Sequence, residues 1–83
     1  MAHITYTYEW RVVDLAALSR KLKAKGVRGA SESNLSRVFN GQHDPSYRLL
    51  KAMAEVRGTD LGEMSKVIEH CRKQYADFHS VHK

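Results

Sequence analysis

The chain is poor in the residues that cross-link or punctuate small folds. Its 83 residues include one cysteine, Cys71, and one proline, Pro45. A lone cysteine excludes an internal disulfide, so no covalent staple supports a chain this short, and a reducing, cytoplasmic setting is expected. No apolar run is long enough to span a bilayer. Met1 to Trp10 lacks the basic start and apolar stretch of a secretory signal. Linkers rich in Pro, Gly or Ser are missing, as are repeats, so residues 1–83 read as a single domain. Neither a nucleophile elbow nor a glycine-rich phosphate loop occurs, and so small a domain has little room for a deep substrate pocket. No enzymatic activity and no cofactor are therefore expected. The five histidines do not change this. Cys71, His79 and His82, with His70 beside Cys71, form a Cys-x7-His-x2-His spacing. That spacing matches no strong zinc pattern and lacks a second ligand pair, so no metal is expected either.

Acidic residues are scarce in the first half of the chain. Residues 11–51 hold nine bases (Arg11, Arg20, Lys21, Lys23, Lys25, Arg28, Arg37, Arg48, Lys51) and only three acids (Asp14, Glu32, Asp44). That stretch carries a net +6, whereas the rest of the chain carries −1, for a total of +5. A positive field confined to one part of a fold is the footprint of a polyanionic partner. Charge alone leaves a merely solvated basic face as an equal reading.

Hydrophobic periodicity supplies the architecture. Ile4, Tyr6, Tyr8 and Trp10 alternate with polar residues, as in a strand or extended arm. With no second clear strand in the sequence, this segment is expected to pair with another copy or to lie along the helices. From about Arg11 the period becomes helical, with Val12, Leu15, Ala16, Leu18 and Leu22 on one face and Gly26 at the end. Ser31 or Ser33 caps a short helix containing Leu35, Val38 and Phe39, which stops at Asn40-Gly41. Asp44 and Pro45 suit the start of a third helix, which ends at Gly58. Asp60 and Glu63 have capping-box spacing at the start of a fourth, residues 59–78. Its apolar seam, Leu61, Met64, Ile68, Cys71, Tyr75 and Phe78, is expected to divide between the core and a dimer interface. The fold expected is mainly α, with about four helices and an N-terminal strand or arm.

The segment Ser31-Glu-Ser-Asn-Leu-Ser-Arg-Val-Phe-Asn-Gly41, followed by Asp44-Pro45-Ser46 and Leu49-Leu50-Lys-Ala-Met53-Ala54, resembles the Cro and phage-repressor type helix-turn-helix family. The likeness covers about Ser31 to Leu61. Its most specific part is Leu-Ser-Arg-x-x-Asn-Gly with Pro-Ser at the family's distance. The turn before the short helix is longer than the family's, and the strand-like start replaces a helix. The resemblance implies a double-stranded DNA-binding transcriptional regulator, a repressor from a phage, plasmid or other mobile element, acting as a homodimer. Two recognition helices would enter successive major grooves roughly 34 Å apart on an inverted repeat.

By the same resemblance, Glu32, Ser33, Ser36 and Arg37 read bases. Arg37 is best suited, because its guanidinium can bind guanine O6 and N7 together. Glu32 either accepts from cytosine N4 or caps the helix. Asn40, Gly41 and Gln42 would grip phosphates, together with Ser46, Tyr47 and Arg48 at the next helix start and Lys25 and Arg28 on the turn. Ile4, Tyr6, Tyr8, Trp10, Ile68, Cys71 and Tyr75 are the expected dimer contacts. A rival reading is a protein-interaction module such as an antitoxin, in which the aromatic strand and the seam would be partner surfaces.

Overall fold

The chain folds as four helices behind a small N-terminal hairpin, in a computed structural model that describes residues 6–8 and 11–81. Strand β1, Thr7–Tyr8, pairs antiparallel with β2, Arg11–Val12, with Thr7 opposite Val12 and Tyr8 opposite Arg11. The amide of Val13 extends the ladder by donating to the Tyr6 carbonyl at 2.8 Å. The strand-like start therefore finds its partner a few residues along the same chain. The helical period expected from Arg11 begins later, and Val12 is 63% exposed on the hairpin instead of joining the helical face.

Helix α1 spans Leu15–Ala24 and is capped by Asp14, whose carboxylate accepts from the Ala17 amide at 3.1 Å. Helix α2 spans Glu32–Phe39, capped by the Ser31 hydroxyl accepting from the Asn34 amide at 3.2 Å. Helix α3 spans Tyr47–Arg57. Its cap is Ser46, not Asp44, and the Ser46 hydroxyl accepts from the Leu49 amide at 3.2 Å. Helix α4 spans Leu61–Val81, with the Asp60 carboxylate accepting from the Glu63 amide at 2.7 Å. The other half of a capping box is replaced by a tertiary contact, since Glu63 Oε1 accepts from the Tyr8 hydroxyl at 2.8 Å.

The core is one apolar cluster to which all four helices contribute. Leu18 and Leu22 of α1, Leu35, Val38 and Phe39 of α2, Leu49 and Met53 of α3, and Met64, Val67, Ile68 and Cys71 of α4 are all buried. Tyr6 and Val13 cover one end, and the Tyr6 ring lies 6.0 Å from Phe39. Fully burying an aliphatic or aromatic side chain of this size contributes roughly 1.5–3 kcal/mol. Continuous packing of this kind is what holds short helices that would be marginal in isolation.

This core corrects the expected interface between copies. Tyr6, Ile68 and Cys71 are buried against the chain's own helices, so they have no surface to offer a partner. Tyr75 packs partly against the same cluster. Tyr8 is half-buried, with its ring edge-on to His70 at 5.4 Å. Ile4 and Trp10 lie outside the described residues. Among the described residues no helix is long and apolar enough to cross a membrane, and no group of three or more His, Cys, Asp or Glu is placed to hold a metal ion.

Candidate nucleic-acid interface

Helix α2 divides cleanly into two faces. Leu35, Val38 and Phe39 are buried, while Glu32, Ser33 and Arg37 are exposed and Ser36 is half-exposed. At 3.6 residues per turn, positions 32, 33, 36, 37 and 40 fall within an arc of about 140° on the side away from the core. Among the described residues no hydrogen bond or ion pair engages the side chains of Glu32, Ser33, Ser36 or Arg37. Ser31 supplies the helix cap, so the Glu32 carboxylate is left for other contacts. It also sits at the positive end of the helix dipole, which favours an anion there.

The residues on either side of α2 are held by specific contacts. The connector from α1, residues 25–31, is anchored by the Ser19 hydroxyl, which is buried and donates to the Ala30 carbonyl at 2.6 Å. The Asn34 side-chain amide donates to the Gly29 carbonyl at 2.8 Å. Gly29 has φ +77°, which favours glycine, and a Cβ there would crowd that Asn34 nitrogen at 3.0 Å. Two hydrogen bonds thus tie the connector to α1 through Ser19 and to α2 through Asn34.

Beyond α2, Asn40 ends the helix and Gly41 reverses the chain at φ +90°. The amides of Gln42 and His43 both donate to the Arg37 carbonyl, at 2.9 and 3.2 Å. Asn40 Oδ1 accepts from the Gln42 amide at 3.0 Å, tying together two of the expected phosphate contacts. Arg72 of α4 closes the loop, a role that sequence reasoning missed. Its Nε donates to the Val38 carbonyl at 2.9 Å, and one Nη donates to the His43 carbonyl at 3.0 Å and to Asp44 at 3.3 Å. Asp44, expected to start α3, serves as this arginine's exposed partner instead.

Two of the basic residues, Arg28 and Arg48, share a groove. Ser46, Gly26 and Val27 line it with them, so the connector and the start of α3 are neighbours. Tyr47, the first residue of α3, is 65% exposed. Lys25 is placed differently. Its ammonium lies 3.7 Å from the Glu55 carboxylate of α3, both half-exposed, and an exposed pair of this kind is worth little and is readily exchanged. The structure therefore brings Glu32, Ser33, Ser36 and Arg37 onto one face of α2, Asn40, Gly41 and Gln42 to its end, and Arg28, Ser46 and Arg48 into one groove. No family model matches this chain, and no curated protein or solved structure is significantly similar to it.

Proposed function

We propose that this protein is a sequence-specific double-stranded DNA-binding regulator, acting in the cytoplasm, that reads base edges with the outer face of α2. The observation that carries the reading is the unengaged polar face made by Glu32, Ser33, Ser36 and Arg37 on a helix whose other face is locked into the core. A major groove admits such a helix, with its exposed polar side chains reaching the bases. The concentration of positive charge in residues 11–51 supplies the sequence-independent attraction. Arg28, Ser46 and Arg48 line one groove where a phosphate would meet both guanidinium charge and the start of α3.

In this reading Arg37 binds a guanine and Glu32 accepts from a cytosine amino group on a neighbouring pair. A cluster of small polar side chains on a rigid helix suits recognition better than catalysis. Repression by occupancy of a promoter, with two copies on an inverted repeat, is the form of regulation the resemblance to Cro-type proteins suggests. With Tyr6, Ile68 and Cys71 inside the core, any contact between copies must use other residues.

Selection of bound duplexes from a random pool tests the proposal. A defined motif should be enriched, and a palindromic motif would report two copies per site. Arg37→Ala should lose preference for that motif while keeping its helical signal and its weak, salt-sensitive binding to any duplex. Failure of the wild-type chain to enrich a motif, with tight capture of a protein partner instead, would favour the interaction-module reading.

A further inference from the structure

Arg72 lies on α4, 34 residues away from the Val38 carbonyl it binds. Its three acceptors are gathered at the end of α2: the carbonyl of Val38 in the last turn, the carbonyl of His43, and the carboxylate of Asp44. Its aliphatic stem passes Gly41, where a Cβ would sit 3.8 Å from the arginine Cγ and Cδ. One planar guanidinium thus ties the C-terminal end of α2 to both sides of the 40–44 loop. Lysine has one point of charge and cannot span such a set.

The loop held in this way contains Asn40, Gly41 and Gln42. Asn40 and Gln42 are bonded to one another through the Gln42 amide at 3.0 Å and their side-chain amides at 3.4 Å. The groups presented are neutral, so their worth to a ligand depends on being ordered before the ligand arrives. We propose that Arg72 is a positioning residue for DNA binding: its guanidinium fixes the Asn40–Gln42 loop against the end of α2, so that the loop meets the phosphate backbone already ordered. The proposal rests on the DNA-binding reading above.

The experiment uses the full chain and the duplex that the wild-type protein enriches from a random pool. Arg72→Met should weaken binding by about tenfold, the loss expected for a charge-assisted hydrogen-bonded clamp. The slope of log affinity against log salt should not change, because a positioning arginine releases no counterions of its own. Amide exchange at Gln42 and His43 should accelerate in the free protein, since both amides depend on the closed loop. Arg72→Lys, which keeps the charge, should reproduce the faster exchange and the weaker binding, and it covers the case in which the methionine variant does not fold. Cys71→Ala, destabilised from within the core, should bind as the wild type does, separating positioning from general loss of stability. A salt slope reduced by about one unit in Arg72→Met would mean direct phosphate contact and would overturn the proposal. So would unchanged affinity in the lysine variant despite faster exchange. If the wild-type chain enriches no duplex, the DNA reading itself fails and the positioning role fails with it. Normal wild-type binding with unaffected variants removes the positioning role alone.

Discussion

Removing the hydroxyl of Ser19 tests whether the connector is held as described. Ser19 is the one buried polar side chain among the described residues, and its only partner is the Ala30 carbonyl at 2.6 Å. Ser19→Ala leaves that carbonyl in the interior with no donor from the protein. A buried acceptor stranded in this way destabilises by about 1–3 kcal/mol, whereas the hydrogen bond itself contributes only about 1 kcal/mol net. The variant should therefore lose about 2 kcal/mol. For a domain of this size that corresponds to a fall in Tm of roughly 8–16 °C. Urea unfolding followed by helical circular dichroism measures the loss, and an unchanged m-value shows that the unfolded states are comparable. Ser36→Ala is the reference, since among the described residues no hydrogen bond engages the Ser36 side chain, and it should shift stability by no more than about 0.5 kcal/mol. If Ser19→Ala proves as harmless as Ser36→Ala, the connector is held by something other than this hydrogen bond.

Two further outcomes follow from the same packing. Gly29→Ala and Gly41→Ala each place a side chain at positive φ, at about 1–2 kcal/mol, but only at Gly29 does the new Cβ meet an atom at 3.0 Å. Gly29→Ala should thus be the less stable of the two in thermal melts, and equal melting would count against a tight connector. Burial raises the Cys71 thiol from 9.0 to about 11 and the Tyr6 phenol from 10.0 to about 12, with the neighbouring Cys71 adding to the effect at Tyr6. The folded state holds these protons more tightly than the unfolded chain, so this stability is fully present below about pH 9 and is lost as pH rises toward 11 and 12. Urea midpoints should decline over that range, and Cys71→Ala should flatten the lower part of the decline. A midpoint that holds steady into strong alkali would show that neither group is desolvated.

Helix α2 was the most legible element in the sequence, because its signals are local. A serine cap, an apolar triplet at helical spacing and Asn-Gly at the end all lie within eleven residues, and each acts where it stands. The same holds for the end of α3 at Gly58, whose left-handed φ of +69° matches its use as a stop. What sequence reasoning missed depends on distant partners. Asp44 has the right chemistry for a helix cap, but Arg72 draws its carboxylate 28 residues along the chain, and Ser46 takes the cap. The strand-like start was recognised, whereas its partner Arg11–Val12 was not, since two residues carry too little periodicity to separate from the helix that follows. The α4 seam has the spacing of a contact between copies. Nothing in that spacing says that α2, α3 and the hairpin of the same chain already cover Ile68 and Cys71. Ser19 offered no signal at all, because a serine within an amphipathic helix is unremarkable until the connector folds over it. The four side chains on the outer face of α2 are singled out in the sequence by the family resemblance, and the structure leaves three of them exposed and Ser36 half-exposed.

The central claim is that Arg37 touches a base, and a double-mutant cycle between protein and DNA addresses it directly. Each guanine of the enriched duplex is replaced in turn by its 7-deaza analogue, and affinity is measured for the wild-type chain and for Arg37→Ala. At one guanine the wild type should lose about 1–3 kcal/mol while Arg37→Ala loses almost nothing. Equal losses in both proteins at every guanine would place Arg37 away from the bases.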